Sequence, residues 1–263
     1  MKFFYPGFKT KALTFSYDDG TVEDSFLTRL FDKYGVKGTF NINTGIFEQI
    51  DDFNHGGVDV HMVRIRREWA KDLYKNYEVA SHMSKHICIT SEDKTEVEKQ
   101  LKEDIENIEN ITGVRPVGFA YPGGPYDEDG IELLKKYGII YARTIEETGN
   151  FELPDDFLIW NPTARDRDAL PLAEKFADAS FNEMKLLYIW GHSFEFQKHD
   201  INRYENMENI LKTLSGKNDI WYAENREIAE YINAVRYYEN HGVKQKNSPA
   251  LYAENDRGEK ITF

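Results

Sequence analysis

Short apolar runs in this chain repeatedly end on polar or titratable residues, with a helical pattern following each. This constrains the fold more than any other feature. Ala12–Tyr17 (ALTFSY) runs into Asp18-Asp19-Gly20, Gly38–Asn43 (GTFNIN) reads as a second strand, and Glu78–His82 (EVASH) as a third. Val117–Tyr121 (VGFAY) runs into Pro122-Gly-Gly-Pro125, and Ile139–Thr144 (IIYART) carries Arg143. Leu158–Asn161 is a shorter candidate, Lys185–Trp190 ends in Gly191-His192, and Asp219–Ala223 (DIWYA) is another strand. Between them lie helical patterns. Phe26, Leu30, Phe31 and Tyr34 share one face, with Gly35 as a stop. Val97, Leu101, Ile105 and Ile108 share another, with Ser91 as the expected N-cap. Arg64–Asn76, Glu128–Tyr137, Leu172–Ser180, Tyr204–Leu214 and Asn225–Tyr238 complete the set, and residues 46–62, with Gly56-Gly57 and several acids, read as a long loop.

Roughly seven or eight strand–helix units predict an α/β fold, a parallel β/α barrel. An open doubly wound sheet has the same rhythm, but no strand here is followed by the G-x-G-x-x-G of dinucleotide binding. No linker or repeat divides the chain. One domain over residues 1–263 is expected, with the polar stretch 242–263 as a C-terminal extension that ends in a strand.

Composition narrows the partners. With 263 residues, 40% hydrophobic and 14% aromatic, the chain can bury a large core, which excludes global disorder. A net charge of −13 makes nucleic acid and anionic membrane surfaces poor partners. The single cysteine, Cys88, excludes an intrachain disulfide and any cysteine-based zinc finger. No apolar run reaches the length of a membrane span. Met1–Pro6 lacks a signal-peptide core and cleavage site, so the expected location is cytoplasmic as written, or secreted or cell-surface if a leader has been removed. Oligomeric state is not legible.

In a β/α barrel the carboxyl ends of all strands meet on one face, where active sites lie. Asp18 and Asp19 would repel each other there unless a cation or a proton separated their states. As an alternative, Asp-Gly is an ordinary turn dipeptide. In His82-Met-Ser-Lys-His86, on a helix or tight turn, both imidazoles can reach one ion; as an alternative, either is a packed core histidine. Two histidines with a carboxylate from another strand suit zinc hydrolysis, and equally a non-haem iron oxygenase. The glycines of Phe119-Ala-Tyr-Pro-Gly-Gly-Pro-Tyr126 let backbone N–H groups approach a ligand, or simply make a turn. His192, in Trp190-Gly-His192-Ser-Phe-Glu195, is placed to act as a general acid or to hydrogen-bond a neighbouring loop.

Taken in order, these elements resemble the polysaccharide deacetylase family, also called the NodB-homology domain or carbohydrate esterase family 4. Thr14-Phe-Ser-Tyr-Asp18-Asp19-Gly20 matches its D-D-G, and His82-Met-Ser-Lys-His86 has the spacing of its H-[ST]-x-x-H. Ala120-Tyr-Pro122-Gly123-Gly124 stands at its third motif and His192 at its last, over about residues 10 to 235. The resemblance implies a distorted (β/α)7 barrel and a hydrolase that removes N- or O-acetyl groups from a saccharide. By it, Asp19, His82 and His86 hold a divalent metal, zinc foremost, with cobalt, nickel and iron as options. Asp18 is the base, the Gly123 N–H helps hold the oxyanion, and His192 is the acid.

The chain departs from the family pattern in several places. The third motif usually supplies an Arg that pairs with the base, and here that place is Ala120; Arg143 is the candidate replacement. Trp160-Asn-Pro-Thr163 stands where a Trp and an Asp that orients the acid His are usual, and Met83 takes a Ser/Thr place. Tyr121, Tyr126, Trp160, Trp190 and Phe194 are candidate walls for sugar rings, or plain packing. The expected partner is an acetylated oligo- or polysaccharide. Two further readings stand beside it: a hydrolase of a small cyclic or linear amide, with the 46–62 segment narrowing the mouth, and a non-catalytic carbohydrate-binding protein that keeps the metal site. His55 and His61 are not assigned as ligands.

Overall fold

The computed structural model describes residues 1–197 and 202–263. A short strand, β1 (Lys2–Phe4), precedes the long strand β2 (Lys11–Asp18), helix α1 (Asp24–Tyr34) and β3 (Thr39–Ile42). A hairpin, β4 (Ile50–His55) and β5 (Val58–Val63), leads to α2 (Arg67–Leu73), β6 (Glu78–Ser81), α3 (Lys94–Thr112) and β7 (Gly118–Ala120). Then come α4 (Glu128–Lys136), β8 (Tyr141–Arg143), β9 (Ala164–Arg165), α5 (Leu170–Asp178) and β10 (Lys185–His192). The chain finishes with α6 (Tyr204–Leu214), β11 (Ile220–Tyr222), α7 (Asn225–His241), β12 (Tyr252–Glu254) and β13 (Lys260–Thr262).

The main sheet runs β8-β7-β6-β3-β2-β10-β9, all parallel, and it curls into a distorted barrel. The two ends of the sheet meet through the segment that contains Trp160. The Trp160 N–H donates to the Ala142 carbonyl (2.9 Å) and its carbonyl accepts from Thr144 (3.1 Å), after which the chain enters β9 beside β10. The distortion lies at β2. Its first residues, Lys11–Leu13, pair with β11 and its last, Ser16–Asp18, with β3, so two strands share one edge.

Helical stripes cover the barrel as the spacing predicts. In α1, Leu27, Leu30 and Phe31 are buried, and Gly35 ends the helix in the left-handed conformation (φ 64°) that glycine tolerates. In α3, Val97, Leu101, Ile105 and Ile108 are buried. The N-cap there is Asp93, whose carboxylate accepts from the Glu96 N–H, and not Ser91; the helix starts later because Asp93 caps more closely ahead of the first buried position. Among the described residues no helix is long and apolar enough to cross a membrane.

Two segments differ from expectation. Residues 46–62 are largely the β4–β5 hairpin. Val58, Val60 and Met62 alternate with polar residues, and Gly56-Gly57 makes the turn, both at positive φ. The acids hid that alternation in the sequence. The tail forms two strands, since Leu251 and Ala253 are buried and β12 pairs antiparallel with β1 and β13.

Trp160 serves the core. It is 1% exposed and packs on Tyr141, Phe157 and Tyr188 where the barrel closes. Trp160→Ala is expected to cost about 3–5 kcal/mol, seen as a lower urea midpoint; a loss below about 1 kcal/mol would contradict this role.

Candidate active site

The carboxyl ends of β2, β6, β7 and β10 open into a pocket of about 440 Å³, lined among others by Asp18, Asp19, His82, His86, Tyr121, Gly123, Trp190, His192 and Phe194. One ligand atom each from Asp19, His82 and His86 lies within 4.8 Å of the others. A cation suits this cluster. Asp19 Oδ1 is buried without a hydrogen-bond partner, which is costly unless an ion or water satisfies it. The Asp19 carboxylate faces His86 Nε2 at 3.7 Å and the Arg64 guanidinium at 3.6 Å. His82 Nδ1 lies 2.8 Å from the Ala120 carbonyl, which only accepts, so Nδ1 carries the proton and Nε2 keeps its lone pair for the site. Burial lowers the His82 pKa to about 4, so the ring is neutral, as a ligand must be.

The backbone around this cluster is held in uncommon conformations. Asp19, Met83 and His86 all have positive φ (77°, 61° and 58°), a strained arrangement for residues with side chains. Hydrogen bonds hold it in place. Asn43 donates to the carbonyls of His82 and Met83. Asp104 accepts from Ser81, Thr44 and the His82 N–H, tying the strand to α3. Met83 is fully buried in the core, so an apolar side chain stands where the family pattern has a hydroxyl, and Asn43 steadies the loop.

Asp18 is buried and paired with Arg143, which reaches it from the end of β8. Asn41 donates to its other oxygen at 2.8 Å, and His82 and His192 each face it at 3.8 Å. Burial alone would raise the Asp18 pKa, but the Arg143 guanidinium and the two imidazoles overcome this and hold it below the usual carboxylate range. Arg143 is therefore the guanidinium that pairs with Asp18 in this chain.

His192 ends β10 with its Nδ1 between two groups. An Arg165 N–H lies 2.9 Å away and the Glu195 carboxylate 3.4 Å away, and these two form an ion pair of their own. Arginine only donates, so its contact suits neutral imidazole, whereas Glu195 suits the imidazolium. Burial would lower the His192 pKa, yet Glu195, Asp18 and Asp19 together raise it. Thr163 does not reach this histidine; its hydroxyl accepts from the Tyr188 N–H. Asp166 takes the Tyr17 hydroxyl at 2.9 Å and lies against Gly191.

The aromatic candidates divide. Trp190 and Phe194 line the pocket, as does Tyr121, whose hydroxyl donates to Leu158. Tyr126 packs on Tyr121 (centroids 5.3 Å apart) and is not among the residues that line the pocket. Trp160 lies in the core and not at the pocket, because the barrel needs it for closure. The sequence reading placed the 46–62 segment, with His55, as one that narrows the mouth, and Asp51, Phe53, His55 and Met62 of that segment do line the pocket. It missed Asn41, Arg64, Arg165 and Glu195 as site residues, of which Glu195 carried a signal, standing three residues after His192.

Residues 6–142 match the family model described as polysaccharide deacetylase. No curated protein matches the chain. Among solved structures the chain is similar to a probable polysaccharide deacetylase from Pseudomonas aeruginosa PAO1 (14% identity, TM-score 0.64, covering 91% of this chain and 95% of that one). It is likewise similar to a protein of Mycobacterium smegmatis assigned as a polysaccharide deacetylase (17%, 0.60, 93% and 96%) and to PuuE allantoinase (12%, 0.61, 91% and 94%). At these identities the likeness is one of fold.

Arg143→Ala removes the guanidinium partner of buried Asp18, leaving it the Asn41 hydrogen bond and the two imidazoles, and is expected to cost about 3–5 kcal/mol at neutral pH. In the parent the Asp18 pKa is depressed, so its contribution is present above the unfolded carboxylate pKa and fades as pH falls below it. In the variant burial raises that pKa, so the sign reverses and Asp18 costs stability as pH rises above about 4. Urea denaturation from pH 3 to pH 8 checks this; parallel curves for parent and variant would contradict it.

Proposed function

Because the chain belongs to the polysaccharide deacetylase family, with the family model matched over residues 6–142, we propose that it is a metal-dependent hydrolase that removes acetyl groups from a saccharide. The observation that carries the reading is the convergence of Asp18, Asp19, His82, His86 and His192, from three strand ends, on one pocket. Asp19, His82 and His86 are the residues that would hold the divalent ion. When bound, such an ion supplies a Lewis acid that polarises the acyl carbonyl and lowers the pKa of water to about 7. Asp18, kept ionised by Arg143, takes a proton from the attacking water. The Gly123 N–H, at the edge of the pocket, stabilises the oxyanion that develops on the carbonyl oxygen. His192, its pKa raised by Glu195 and Asp18, gives a proton to the departing amine or alkoxide. Acetate and the deacetylated saccharide are the products.

A hydrolase of a small cyclic or linear amide is a second reading on the same site. The β4–β5 hairpin favours it, because Asp51, Phe53, His55 and Met62 raise one wall of the pocket.

Metal analysis of the purified protein tests the first reading. About one equivalent of divalent metal is expected in the parent, lost in Asp19→Ala and in His82→Ala. Asp18→Asn should keep the metal while hydrolysis of acetylated sugars falls by about 10²–10⁴. Metal retained in both ligand variants, or hydrolysis undiminished in Asp18→Asn, would reject the assignments.

A further inference from the structure

We propose that the β4–β5 hairpin makes this a site for a single acetylated sugar residue presented end-on, and not for an internal unit of a polysaccharide chain. The proposal rests on the deacetylation reading above and sets the size of its substrate. The hairpin leaves the barrel after β3 and leans toward the end of β10. Phe53 meets the Phe194 ring at 5.8 Å, and Val60 and Met62 bury against Phe194. His55 Nε2 stands 3.7 Å from the Glu195 carboxylate. At its base Arg64 pairs with Asp51 and faces Asp19, so the wall is anchored beside the metal-binding cluster. The mouth is thus walled on the side of β2 and β10, which shortens the cleft open to sugars beyond the reacting one.

The aromatic surfaces agree. A cleft that binds several sugar units needs exposed ring faces beyond the reacting one. Here the ring of Trp190 lies under two guanidiniums, Arg143 at 4.5 Å and Arg165 at 4.9 Å. Tyr121 is 1% exposed and packs on Phe119 and Tyr126. Phe194 is covered by Phe53, His55 and His192. These rings serve the site's own packing, and among the described pocket-lining aromatics only Phe53, on the hairpin itself, is half-buried. The volume of about 440 Å³ falls in the lower half of the usual range for small-molecule pockets.

Calorimetric titration tests the proposal without relying on turnover. The zinc-loaded Asp18→Asn protein is titrated with N-acetylglucosamine and with its β-1,4-linked tetramer. The two are expected to bind within about threefold of each other, a difference of under 1 kcal/mol. The same titrations follow in a variant with residues 53–60 replaced by Asn-Gly, which joins the paired residues Asp52 and His61 through a two-residue turn. Phe53→Ala combined with His55→Ala serves as a second variant that keeps the hairpin backbone. Tetramer affinity should rise at least tenfold in either, about 1.4 kcal/mol. A parent that binds the tetramer tenfold tighter than the monosaccharide, or variants with unchanged tetramer affinity, would overturn the size proposal alone. Failure of both sugars to bind the parent would overturn it together with the deacetylation reading.

Discussion

The buried ion pair between Asp18 and Arg143 is the interaction on which the rest of this structure turns. Both side chains are almost wholly removed from water, and an ion pair in that position is tolerable only when its geometry is good and further hydrogen bonds complete it. Asn41 supplies one of those bonds, and the Trp190 ring stands under the guanidinium. Asp18 ends β2 and Arg143 ends β8, four steps away in the sheet. They can meet only because the sheet curls and the Trp160 segment joins its ends. Barrel closure and the electrostatics of the pocket are therefore one constraint.

Around that pair, local preference gives way to the site. Asp19, Met83 and His86 adopt a backbone region that side chains disfavour, and Asp19 keeps a buried oxygen without a hydrogen bond. Violations of local rules concentrate where function is expected. The cost is met by hydrogen bonds from outside the motifs: Asn43 on the loop carbonyls, and Asp104 between Ser81, Thr44 and His82. The burial of Asp104 raises its pKa to about 6, and its donors partly offset this.

The β4–β5 hairpin adds a second level to the barrel. Family membership speaks for the floor of the pocket, where strand ends supply carboxylates and imidazoles. The walls come from the hairpin between β3 and α2 and from the Phe194–Glu195 turn. On the proposed reading, chemistry and selectivity rest on different parts of the chain, as loops on a rigid scaffold commonly arrange.

Much of this protein was decided by the sequence alone. Strand–helix alternation set a parallel α/β fold, because period-2 apolar runs and period-3.6 stripes each bury one face and leave few ways to pack, and the family resemblance implied the barrel. The order Asp18-Asp19, His82…His86, His192 marked the strand ends that would converge, because a parallel barrel puts all of them on one face. Other features had no local signature. That Trp160 closes the barrel and lies away from the pocket depends on which ends of the sheet meet. That Arg165 and Glu195, and not Thr163, attend His192 depends on the approach of β9 to β10. That residues 50–63 form a wall depends on a hairpin whose acids obscured its alternation. These are contacts between residues distant in the chain, and only the tertiary structure decides them, because side-chain distance across a barrel is fixed by closure and not by sequence spacing.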